Sequence, residues 1–146
     1  VYKRQVEQVA KLKALNVAVI SASGNDGNKT AINSPACISD VVAVGATDNP
    51  WPGMEQIAWD SKASPYIARY TNVSSAVDVY VNGRWFVTNA NGTTKFMAGT
   101  SNAAASISGW WLLNRKASFA DTYNALMSIT TTASNEWATG KYVLIQ

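Results

Sequence analysis

Two short segments bring together residue types with chemical capacity. Ala22-Ser23-Gly24-Asn25 sets an amide side chain behind three small residues at the end of an apolar run, the place where ligands sit in open α/β sheets. Gly99-Thr100-Ser101 puts two hydroxyls directly before a helical pattern. Both segments suit a backbone that bends sharply and approaches a bound group closely. Each also has an ordinary structural use: serine is a preferred helix N-cap, and asparagine after glycine is a common turn residue. A serine hydroxyl becomes a nucleophile only beside a base. The sequence holds no histidine, which removes the commonest base and the commonest zinc ligand. Chemistry at Ser101 must therefore use other groups or groups supplied from elsewhere. The single cysteine, Cys37, excludes an internal disulfide framework and a multi-cysteine metal site; it is expected as a small buried hydrophobe.

The elements that must position these residues are legible from apolar periodicity. Tyr2, Val6, Val9 and Ala10, widened by Leu12 and Leu15, form a stripe opposite Lys3, Arg4, Glu7 and Lys11, which predicts an amphipathic helix over residues 2–15. Residues 17–22 and 41–46 are short, unbroken and rich in β-branched side chains, as expected of neighbouring parallel strands buried on both faces. The turn cluster 23–28 lies between them. Residues 50–68 show no clear period and read as a surface excursion, in which Trp51 and Trp59 are candidates for contact with a substrate or partner. Residues 77–81 alternate, and Asn82-Gly83 then predicts a two-residue hairpin returning through 84–87. Asn91-Gly92 offers a second tight turn before Thr94-Lys95-Phe96. Residues 101–113 predict a buried helix, small at Ala103, Ala104, Ala105 and Gly109 and bulky at Ile107, Trp110 and Trp111. A further helix over 119–129 and a terminal strand at 142–145 complete an α/β pattern.

With 146 residues, 47% hydrophobic and 14% charged, the chain is read as one packed unit, not a disordered segment. No apolar run reaches the roughly 18–20 residues needed to span a bilayer. The net charge of +3 comes from 12 basic and 9 acidic residues scattered along the chain, a solvated surface and not a nucleic-acid patch. The start, Val1-Tyr2-Lys3-Arg4-Gln5, runs straight into the first helix with no initiator methionine or signal-like apolar region, as expected of an interior or processed start. Asn28-Lys29-Thr30, Asn72-Val73-Ser74 and Asn91-Gly92-Thr93 fit the glycosylation pattern. Asp26, Asp40 and Asp48 read as turn and cap residues.

Several ordered motifs resemble the C-terminal half of the subtilisin-like serine proteases, the subtilases. The strand and loop from Val17 to Gly27 resemble that family's apolar strand followed by A-A-G-N-x-G. The stretch from Pro35 to Asp48 resembles its P-A…V-I-x-V-G-A-x-D. Ala68-Arg69-Tyr70-Thr71-Asn72 stands where the family has A-x-F-S-N, and Val77-Asp78-Val79-Tyr80-Val81-Asn82-Gly83 where it has x-D-V-x-A-P-G. Gly99-Thr100-Ser101-Asn102-Ala103-Ala104-Ala105, with Gly109, stands where it has G-T-S-M-A-x-P…G. The resemblance covers nearly the whole chain. It implies the C-terminal portion of a three-layer α/β fold with a mostly parallel sheet and a central buried helix.

The resemblance further implies a serine endopeptidase component acting on peptides or proteins. In it Ser101 is the nucleophile, and Asn25 is the side-chain donor of the oxyanion hole beside the Ser101 backbone N–H. Ala22, Ser23 and Gly24 line the specificity pocket, with Gly99 and Thr100 at the substrate. The family's catalytic Asp and His lie upstream of the segment matched here, so they are expected from an N-terminal half, covalently attached or cleaved and still associated. No cofactor is required; a structural calcium ion is the one metal the resemblance allows, with the carbonyls of Ala36, Ile38 and Val41 as a weak cation site. A proline between Ser34 and Ala36 is expected cis, and a secreted or extracellular protein is favoured. Asn102 replaces the family's Met, Ala105 its Pro, and Val81-Asn82 its Ala-Pro; these departures keep a noncatalytic subtilase-like scaffold as the alternative. Sedolisins share G-T-S and use carboxylates in place of His, but they place Asp where Asn25 stands and carry a calcium-binding C-terminal segment that residues 135–141 do not resemble.

Overall fold

The computed structural model describes residues 2–48 and 65–145. Helix α1 (Tyr2–Ala14) leads into strand β1 (Ile20–Ala22), and β2 (Val42–Thr47) follows. After β3 (Val79–Asn82), strands β4 (Arg84–Thr88) and β5 (Thr94–Ala98) precede α2 (Thr100–Asn114) and α3 (Phe119–Ser128), and β6 (Thr131–Ser134) and β7 (Thr139–Val143) close the chain. A five-stranded sheet has the order β1-β2-β3-β7-β6, in which β1, β2, β3 and β7 pair in parallel and β6 is antiparallel to β7. Residues 49–64, including Trp51 and Trp59, lie outside the described residues. No helix among the described residues is long and apolar enough to cross a membrane.

Side-chain alternation splits the sheet between two layers. Val42, Val44 and Ala46 of β2, with Val79 and Val81 of β3 and Val143 of β7, pack against Ala103, Ile107 and Trp111 of α2 and Leu126 of α3. The intervening residues turn the other way, Ala43 onto Ile32 and Ala36, and Tyr80 and Tyr142 onto Ile67, Val73 and Ala133. Val9 of α1 packs on Ile38 and Val41, with Val19 against them, while Ala18 and Ile20 face the α2 layer. Tyr80 lies where a side chain on Gly45 of β2 or Gly140 of β7 would stand, so both strands are glycine at those points; burial pushes its phenol up to about 12. Asp78 ties three elements together: it accepts from the Ala43 N–H at 2.7 Å and from the Tyr123 hydroxyl of α3 at 2.6 Å. Burial, then that carboxylate, raises the Tyr123 phenol above its ordinary value.

Several expectations are corrected. β1 and β2 are parallel neighbours, in register from Ile20↔Val42, but only β2 is buried on both faces; β1 is half-buried throughout. The reason is position: among the described residues β1 is the sheet edge and has a strand on one side alone. Asn82-Gly83 is not a hairpin. The Gly83 N–H donates to Thr47 O at 3.1 Å, and β4 leaves β3 to pair with β5 instead. Gly83 is buried where a Cβ would meet Ala46 Cβ at 2.6 Å, so packing overrides the local turn signal. The hairpin closes at the second Asn-Gly pair, with Gly92 at φ 80° and Asn89 N–H donating to Thr93 O. Cys37 is exposed, because Ala36 and Ile38 on either side take the inward positions. Strand β6 has no apolar run in the sequence, and the terminal strand begins three residues earlier than its apolar run. The Ser34–Pro35 bond is cis, as expected.

Candidate active site

Loop 23–28 leaves β1 at the carboxyl end of the parallel strands, and α2 begins beside it. Gly24 opens the loop with φ 111°, a left-handed value that favours glycine. A side chain there would collide with the Asn72 amide and come 2.6 Å from Asn33 Nδ2. Those amides hold the loop. Buried Asn72 accepts from the N–H groups of Asp26 (3.0 Å) and Asn28 (2.9 Å) and donates to Asp26 Oδ2 at 2.9 Å. Its own N–H donates to Gly24 O at 2.9 Å. Asn33 donates to the same Asp26 oxygen at 3.0 Å. The hydrogen bonds from Asn72 and Asn33 hold the Asp26 carboxyl below its ordinary value.

The loop presents Asn25, an exposed residue, to the first turn of α2. Helix N-termini leave several N–H groups without intrahelical acceptors, and α2 has no side-chain cap of its own at Gly99. Asn25 supplies one from a distance: its Oδ1 accepts from the Thr100 N–H at 2.9 Å and from the Thr100 hydroxyl at 2.8 Å. The Thr100 oxygen in turn accepts from the Gly24 N–H at 3.3 Å. Two donors on the amide oxygen fix which way the Asn25 amide lies, leaving Nδ2 as its outward donor. The position a Cβ on Gly99 would take lies 3.5 Å from Asn25 Nδ2, 3.8 Å from Asn25 Oδ1 and 3.9 Å from the Ser101 nitrogen, so the Asn25 amide lies beside the positive end of the helix.

Ser101 is exposed in the first turn of α2, not its N-cap. The sequence-predicted residues Gly24, Asn25, Gly99, Thr100 and Ser101 thus meet at one place, with Ala22 at the end of β1 that leads into the loop. Ser23 precedes them in the chain, fully buried, its hydroxyl with no hydrogen-bond partner among the described residues. Sequence reasoning missed Asn72 as the anchor of the loop and Thr100 as the group that orients Asn25. Asn72 was visible as the last residue of a matched motif and as a glycosylation pattern, and its burial and its hydrogen bonds oppose the latter. The Ala36, Ile38 and Val41 carbonyls belong to a different part of the fold. Ile38 O accepts from the Val41 N–H at 2.9 Å, and Lys13 Nζ sits 2.7 Å from Asp40, the carboxylate of that turn.

Comparison with known proteins gives this geometry its context. No curated protein matches the chain. Solved structures do: a cold-adapted subtilisin-like serine proteinase is similar at TM-score 0.70 and 22% identity, over 94% of this chain and 48% of that one. The prenylagaramide maturation protease PagA is similar at TM-score 0.63 and 23% identity, over 90% of this chain and 47% of its own. The chain therefore spans about half the length of these solved relatives. The profile of the subtilase family of peptidases matches residues 1–139, nearly the whole chain, and the chain belongs to the subtilase family.

Proposed function

We propose that this chain carries the nucleophile and oxyanion hole of a serine endopeptidase. The Ser101 hydroxyl attacks the scissile carbonyl of a peptide, and its proton passes to a histidine supplied by polypeptide outside the chain. The carbonyl oxygen becomes an oxyanion between Asn25 Nδ2 and the Ser101 N–H. Collapse of this intermediate breaks the C–N bond, the histidine gives its proton to the leaving amine, and water then hydrolyses the Ser101 ester by the same steps. The observation that carries the reading is the held orientation of the Asn25 amide. Donors fixed before the reaction cost no reorganisation when charge develops, and one is worth about 2.7–4 kcal/mol.

The requirement for outside polypeptide rests on the missing histidine and on the flank of the sheet. The outer side of β1 adjoins a groove of about 520 Å³ lined by Val17, Ile20, Trp111 and Leu112. On α2 the face that begins at Ser101 continues through exposed Ala105, Ser108, Gly109 and Leu112. We assign this surface to the N-terminal half of the domain, since the chain covers about half of its solved relatives. A segment lying there would end beside Ser101. The test is peptide hydrolysis by the complete domain with Asn25→Ala. The reading expects kcat to fall about 100- to 1,000-fold with KM little changed; undiminished kcat would remove Asn25 from the reaction.

A further inference from the structure

Two of the departures from the subtilase pattern, Asn82 and Asn102, fall on the same junction. Asn102 Nδ2 donates to Gly83 O at 3.2 Å, and the Gly99 N–H donates to that same oxygen at 3.0 Å. A carbonyl has two lone pairs, so Gly83 O is saturated by the two ends of the turn that carries Ser101. The other side of Gly83 is held as firmly. Its N–H is bound to Thr47 O at 3.1 Å. Asn82 accepts from the Arg84 N–H at 3.1 Å and donates to Arg84 O at 3.2 Å, and its own carbonyl accepts from Trp85 Nε1 at 3.2 Å. Arg84 is pinned in turn by a two-point ion pair with Asp48, both side chains mostly buried.

We propose that Asn82 and Asn102 form an amide clamp that holds the Gly99-Thr100-Ser101 turn in register with the sheet, Asn102 acting as a positioning residue for Ser101. The role of Ser101 itself rests on the reading above. A proline before Gly83 would restrict the chain through its ring. Asn82 restricts it through a side-chain ring to the next residue but one, a local bond typical of asparagine. A thioether after the nucleophile has no donor for Gly83 O; the Asn102 amide has. The two replacements thus act on consecutive bonds of one junction. Read this way, they maintain the site and do not mark its decay.

The clamp is tested in the complete domain with Asn102→Met, which restores the family residue, Asn102→Asp, which keeps the shape and removes the donor, and Asn82→Ala. Hydrogen exchange of the Gly99 amide reads the clamp directly, and the rate of Ser101 acylation reads its consequence. The clamp predicts faster Gly99 exchange in all three variants, and for both Asn102 variants acylation slowed about 10- to 100-fold with KM preserved, as expected of a misplaced reacting group. Unchanged Gly99 exchange would overturn the clamp. Faster exchange with unchanged acylation would overturn the positioning role. If the wild-type domain never acylates at Ser101, the catalytic reading fails on that result, and Gly99 exchange in the variants still decides whether the clamp exists.

Discussion

The carboxyl end of the sheet and its β1 flank are built on opposite principles. At the carboxyl end the contacts are polar: Asn72, Asn33 and Asp26 close loop 23–28, and Thr100 holds Asn25. At the flank the contacts are apolar and unfinished. Val17, Leu112 and Leu113 are 44%, 75% and 86% exposed, although burying such a side chain stabilises by about 1.5–3 kcal/mol. The comparison of β1 with β2 makes the same point within one sheet, because two runs of similar composition differ in burial only by the number of neighbouring strands. One end of the molecule is thus closed by hydrogen bonds, and the other leaves apolar side chains in solvent. The two should fail separately when altered.

The largest effect is expected at the polar end. Ser101→Ala in the complete domain should lower kcat about a million-fold while assembly with the N-terminal half, measured by co-elution, is unaffected. Gly24→Ala should come next. With φ at 111° and the Asn72 amide in the way, the loop cannot keep its course, and hydrolysis should be lost along with protection of the Asp26 and Asn28 amides from exchange. A change on the flank should do the converse. Val17→Lys with Leu112→Glu should weaken assembly by at least about tenfold, some 1.4 kcal/mol, and leave Gly99 exchange as it was. If it altered the site as strongly as the assembly, the two regions would not be separable.

Smaller effects belong to the loop anchor. Asn72→Ala leaves the Asp26 and Asn28 N–H groups without their acceptor and should cost about 1–3 kcal/mol in denaturant unfolding. Asp26 sharpens this by pH. Its carboxyl is held below its ordinary value in the folded state, so its contribution to stability is fully present above the ordinary aspartate range near pH 4 and is lost as the pH falls below it. Asn72→Ala and Asn33→Ala should flatten that acid-side loss in a urea titration; an unchanged slope would separate Asp26 from its two amides.

How much of this was legible in the sequence follows the range of the interactions. The parallel pairing of β1 and β2 could be read because unbroken β-branched runs fit little else, and α2 because Ile107 and Trp111 recur at helical spacing among small residues. The meeting of Asn25 with Gly99-Thr100-Ser101 came from motif resemblance, since residues 75 apart share no local signal. The misread hairpin at Asn82-Gly83 shows the limit. Its turn chemistry is correct locally, but Thr47, Asp48 and Asn102 bind the junction from elements far away in sequence. Strand β6 buries only Ala133, so it has no alternation to read and exists through its ladder with β7. The burial of Asn72 is likewise a property of the assembled loop.

The central claim, a nucleophile complete in geometry but dependent on another segment for its base, is tested most directly by labelling with a serine-directed phosphonate. The 146-residue chain and the chain joined to its N-terminal half would be treated in parallel, and modification located by mass spectrometry of the peptide that contains Ser101. The account predicts stoichiometric modification of Ser101 in the joined domain and none above background in the chain alone. Full modification of Ser101 in the isolated, monomeric chain would contradict it, because the hydroxyl would then be activated with no histidine present.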